Sequence, residues 1–133
     1  MVGVDEAIRL AMALPDVTTG TSYGNRTWLV GRTSFAWLRP FSKADVKRFG
    51  DAPVPGGPIF AVRVADLRAK EAVLAEGARG VFTIPHFDGY PAVLIRLEAV
   101  AKSVLKRLLT DAWLACSAPA PPARRRARAR KRQ

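Results

Sequence analysis

The abrupt change in composition after Cys116 is the strongest constraint on how this chain folds. Residues 117–133 begin Ser-Ala-Pro-Ala-Pro-Pro-Ala and then turn arginine-rich, with Pro119, Pro121 and Pro122 close together. Proline fixes φ and removes a backbone donor, so this segment cannot prolong a helix and is expected to be an extended, disordered spacer. Folding is left to residues 1–116, a length that suits one domain and not two. The expected organisation is therefore a folded domain over 1–116 and a basic tail over 117–133.

Charge follows the same boundary. The net charge is +11, and the tail holds seven of the 22 basic residues (Arg124, Arg125, Arg126, Arg128, Arg130, Lys131 and Arg132) without any acid. The remaining 15 basic residues face 11 acids, so the body carries only +4. With 49% apolar and 25% charged residues, that body has the make-up of a globular domain. Cys116 is the single cysteine, which excludes an internal disulfide or a thiolate metal cluster and suits a reducing cytoplasm. The opening Met1-Val2-Gly3-Val4-Asp5-Glu6 has no basic leader, and no apolar run approaches the ~20 residues of a membrane span. A soluble cytoplasmic protein with no membrane partner is expected.

Periodicity supplies the elements. Val4, Ala7, Ile8, Ala11 and Leu14 recur at helical spacing until Pro15. A polar stretch, Thr18 to Asn25, reads as a loop. Thr27-Trp28-Leu29-Val30 and Ser34-Phe35-Ala36-Trp37-Leu38 then form a hairpin about Gly31-Arg32-Thr33. Within the irregular stretch 40–58, Ser42, Asp45 and Gly50 frame one or two helical turns that would present Lys43 and Lys47 on one face. Ile59 to Val64 is a strand, and Asp66 caps a helix that Gly77 ends. Val81 to Ile84 and Ala92 to Leu97 flank an Asp88-Gly89 pair, a hairpin signal. Val104, Leu105, Leu108, Leu109, Ala112, Trp113 and Cys116 make the apolar stripe of a last helix. The order is α-β-β-β-α-β-β-α, which predicts an α+β domain with a mostly antiparallel sheet and flanking helices.

Three segments, Ala13-Leu14-Pro15-Asp16-Val17, Ser22-Tyr23-Gly24 and above all Phe82-Thr83-Ile84-Pro85-His86-Phe87-Asp88-Gly89-Tyr90-Pro91-Ala92-Val93-Leu94, resemble the MmcQ/YjbR family of small bacterial proteins. The similarity runs from about Ala7 to Trp113, and the tail lies outside it. The resemblance implies a frataxin-like (CyaY-like) α/β fold and a DNA-binding role.

Two sets of residues are candidates for function. The basic set comprises Arg26, Arg32, Arg39, Lys43, Lys47 and Arg48 in the body, with a wing-like hairpin carrying Arg32 at its turn, together with the seven tail cations. Each cation that meets a phosphate releases counterions, so the tail is suited to sequence-independent binding of DNA. The second set, Ser22, Tyr23, His86, Asp88 and Tyr90, would line a groove between the Ser22-Tyr23 loop and the His86–Pro91 hairpin. Such a groove gives the alternative of a small-molecule-binding module. His86 is the single histidine and Cys116 falls on an apolar stripe, so no catalytic residue, metal site or cofactor is expected. Trp28, Trp37 and Trp113, one on each of three amphipathic elements, are expected in the core. The expectation is a non-enzymatic, monomeric DNA-binding protein.

Overall fold

A computed structural model describes residues 1–117, and the seven tail cations lie outside the described residues. The elements are α1 (Val4–Met12), β1 (Val17–Ser22), β2 (Asn25–Val30), β3 (Thr33–Leu38), α2 (Lys43–Arg48), β4 (Ile59–Arg63), α3 (Leu67–Ala75), β5 (Val81–Phe82), a 3-10 turn (Pro85–Phe87), β6 (Ala92–Arg96) and α4 (Lys102–Ser117). The six strands form a single sheet ordered β1-β2-β3-β4-β6-β5. Every neighbouring pair in it is antiparallel. The α+β class is as expected. β6 sits between β4 and β5, which therefore run parallel and are joined by the α3 crossover.

The two faces of the sheet have different coverings. One carries Trp28, Phe35, Phe60, Val62, Val93 and Ile95, and packs with Ala7, Ala11, Leu105, Leu108, Leu109 and Ala112 of α1 and α4 into the main core. The other carries a smaller cluster of Ile59, Ala61, Phe82, Ala92 and Leu94, covered by Ile84, Phe87, Phe41 and Phe49. The second cluster covers the β4-β6-β5 half of its face, with Trp37 of β3 packed at its edge. The β1-β2-β3 half is left open.

The segment read as a polar loop is instead a strand. Val17–Ser22 pairs with β2 from Val17↔Val30 to Ser22↔Asn25. It is an edge strand that buries none of its residues, so the apolar alternation that marks a strand is missing, while its threonines suit extended backbone. A two-residue turn, Tyr23-Gly24, joins the strands with φ of 50° and 78°. Positive φ at both central positions fits a type I′ hairpin turn, in which Asn-Gly is the usual pair. The tight Asp88-Gly89 hairpin is corrected too: β5 stops at Phe82, and residues 83–91 form a longer connection that contains the 3-10 turn. Asp88 (φ −60°, ψ 131°) and Gly89 (φ 74°) make a type II turn within it, closed by the Tyr90 amide on the Phe87 carbonyl at 3.0 Å. Of the tryptophans, Trp28 is fully buried, whereas Trp37 and Trp113 are only partly covered.

Candidate functional site

A bulge in β3 shapes the open half of the second face. Trp28 pairs with Ala36 and Leu29 with Ser34, which leaves Phe35 as an extra residue. Phe35 and Ala36 therefore both point into the main core. Ser34 and Trp37, three positions apart, share the opposite face with Thr27, and the Thr27 hydroxyl donates to Ser34 Oγ at 2.8 Å. In a regular strand, residues at that separation would point to opposite faces.

Period-2 alternation brings Ser22 of β1, Asn25 and Thr27 of β2 and Arg63 of β4 to this face, where the bulge has put Ser34 and Trp37 of β3. Two walls rise beside it. One is Arg39 to Ser42 with Ala44 and Arg48 of α2, and the other is His86, Phe87 and Tyr90 of the 83–91 connection. They enclose a groove of about 970 Å³, at the upper end of the ~300–1,000 Å³ typical of ligand sites. Tyr23 stands fully exposed at its rim.

Buried polar side chains hold both walls. Ser42 and Asp45 form a reciprocal capping box at the start of α2. The buried Asp45 carboxylate also binds Arg39 at 2.9 Å and approaches Arg48 at 3.5 Å. Burial works against its ionisation most strongly, but the Ser42 amide and hydroxyl and the Arg39 guanidinium together hold its carboxyl below the ordinary value. On the other wall, Lys70 of α3 is buried and its ammonium donates to the Phe87 and Tyr90 carbonyls. That bond pair fixes the connection bearing His86 and Tyr90. Burial lowers the Lys70 pKa, and nearby Asp88 opposes the shift.

Arg63 was not among the residues singled out from the sequence. Its Nε donates to the Ser34 carbonyl at 2.9 Å, and its guanidinium lies 6.0 Å from the Trp37 ring centroid and 5.4 Å from that of Tyr90. Ladder pairing between β3 and β4 ends at Ala36↔Val62, so the Ser34 carbonyl is open to a side chain. Among the described residues, no carboxylate lies within ion-pair distance of Arg63. A lone arginine at the end of the apolar run Ile59-Phe60-Ala61-Val62 was the available signal.

The expected sets are divided by the structure. Ser22, Tyr23, His86 and Tyr90 come together at the groove, and Asp88 falls outside its lining. Of the basic set, Arg39 and Arg48 line the groove, while Lys43 and Lys47 are exposed along α2 and Arg32 at the β2-β3 turn. Arg26 lies on the opposite face, its guanidinium 5.5 Å from the Trp28 ring centroid. These six cations thus do not form one surface. Cys116 packs against the main core rather than the groove, and burial raises its thiol pKa despite nearby Arg63. No helix among the described residues is long and apolar enough to cross a membrane.

Fold and site together define a small α+β domain with an open groove of arginine and aromatic side chains on its less covered sheet face. The chain belongs to the same family as uncharacterized proteins of Mycobacterium tuberculosis and Mycobacterium bovis, to which it is 42% identical over 113 residues, 83% of this chain and 84% of each relative. No family model matches the chain, and no solved structure matches it.

Proposed function

We propose that this chain is a non-enzymatic binding module of the MmcQ/YjbR type, working in the cytoplasm, whose site is the groove between the Tyr23-Gly24 turn and the 83–91 connection. The observation that carries this reading is the convergence of Ser22 and Tyr23 with His86 and Tyr90, more than 60 positions away, around about 970 Å³ of space. Concave sites lined by aromatic rings with a few fixed polar groups are the usual places for small ligands. The lining contains Arg39, Arg48 and Arg63 and no acidic side chain, which favours an anion. Screening a small-molecule collection for thermal stabilisation tests it. Ligands should raise the melting temperature of the wild type, and His86→Ala should weaken their effect; stabilisation indifferent to every groove substitution would refute the reading.

A second reading, DNA binding, is favoured by the seven cations between Arg124 and Arg132. In it the tail contributes backbone affinity, and Lys43 and Lys47 on α2 add to it. A gel-shift series comparing the full chain with a chain ending at Ser117 separates the two readings.

A further inference from the structure

We infer that the groove recognises a planar ring carrying an oxyanion, and that Arg63 is the residue that grips the oxyanion; this rests on the groove being a ligand site. Arginine is normally a mobile side chain, and ordering it on binding costs affinity. Here the ordering is built into the fold. The β3-β4 ladder stops short of Ser34, and the carbonyl left open there holds Nε at 2.9 Å. The Trp37 and Tyr90 rings flank the guanidinium with centroids at 6.0 and 5.4 Å. Nε is the only Arg63 donor with a partner among the described residues, so the two terminal nitrogens remain for a bidentate acceptor.

The other two arginines of the groove are differently placed. Arg39 Nη1 donates to the Pro40 carbonyl at 2.6 Å and forms an ion pair with the Asp45 carboxylate at 2.9 Å, and Arg48 leans toward the same carboxylate. Arg63 alone combines a fixed position with a free fork and no counter-charge among the described residues. Carboxylate and phosphate both match that fork. The rings beside it, Trp37 and Tyr90, suit a flat apolar body rather than a bare ion. The ligand class is thus a carboxylate or phosphate joined to a planar ring.

Matched pairs of probes on the full chain test this. Indole-3-acetate is compared with indole-3-acetamide, and adenosine 5′-monophosphate with adenosine, by titration calorimetry and amide chemical-shift mapping. The anionic member of at least one pair should bind on the order of tenfold more tightly than its neutral partner, with shifts at the groove. Which pair responds tells carboxylate from phosphate. Arg63→Gln should bring the anion down to the level of the neutral partner measured on the same variant. If Arg63→Gln does not fold, the wild-type pair comparison still decides, because it uses no variant. Equal binding of neutral and anionic probes in the groove overturns the inference and leaves the ligand site standing. No binding of any probe or screened compound in the groove overturns both. Arg63-dependent binding of a single-stranded oligonucleotide, with no monomer bound, overturns the small-ligand class in favour of nucleic acid.

Discussion

Arg63 Nε and the Ser34 carbonyl meet at 2.9 Å across the end of the β3-β4 ladder, 29 residues apart in sequence. The bond makes a sheet irregularity into a fixed guanidinium. Arg63→Lys keeps the charge but has neither an Nε to place there nor a plane to lay on Trp37 and Tyr90. It should lower stability by about 1 kcal/mol in urea unfolding with an unchanged m-value. An unaltered midpoint would show that the bond is not constraining the side chain.

Lys70 ties the 83–91 connection to α3 through the Phe87 and Tyr90 carbonyls. Lys70→Met preserves the apolar stem but leaves both carbonyls without that donor. We expect a loss of about 2–4 kcal/mol, with amide exchange accelerated first at residues 85–91. Uniform acceleration across the sheet would mean that Lys70 supports the domain as a whole and not the groove wall.

Asp45 makes the stability of the α2 wall depend on acid. Its carboxyl is held below the ordinary 3.8, so the native state binds fewer protons there than the unfolded chain does. Its contribution is complete above about pH 4 and is lost as pH falls through the lowered value. Asp45→Ala removes the cap and the partner of Arg39, and should cost about 2–3 kcal/mol at neutral pH. The gap between wild type and variant should close on acidification below pH 4, read from melting temperatures across a pH series. A gap independent of pH contradicts the ionised pairing.

Tyr23 occupies the left-handed region at φ 50°, in a turn position that favours asparagine, and its ring is fully exposed. Nothing in the folding of the hairpin calls for a tyrosine here, whereas a groove rim has use for an aromatic ring. Tyr23→Asn should stabilise the domain by up to about 1 kcal/mol while weakening binding of groove ligands. A destabilised variant, or one that binds equally well, would count against a functional tyrosine.

If DNA is the partner of the tail, affinity will follow salt steeply. Engagement of five to seven phosphates corresponds to a log K against log salt slope of roughly −4.5 to −6 on duplex DNA. Ending the chain at Ser117 should flatten that slope. Equal slopes for the two chains would remove the tail from the interface.

Local chemistry made much of this fold readable in advance. The capping box of Ser42 and Asp45, the Asp66 cap donated to by the Ala69 amide at 2.8 Å, and the α4 stripe buried through Leu105, Leu108, Leu109 and Ala112 depend on residues within a few positions of one another. β1 escaped because both the pairing and the burial that mark a strand come from elsewhere: it is threonine-rich, exposed and defined by β2. The motif residues Ser22, Tyr23, His86 and Tyr90 were identified by their segments, and the structure gathers them at one groove.

What the sequence determined by itself was therefore the class of fold, the helices, the uneven distribution of charge and the segments bordering the site. Only tertiary structure decided which cations are free, which are paired and where they face. Arg39 and Arg48 are drawn to the buried Asp45, Arg26 lies on the opposite face, and Arg63 becomes prominent because the β3-β4 ladder stops short of Ser34 and leaves its carbonyl to the guanidinium, while the extra residue in β3 turns Ser34 and Trp37 to the same face. The physical reason is range. Propensity and capping act over a few residues, whereas a bulge sets the facing of every side chain beyond it, and that is settled only when strands distant in sequence pair.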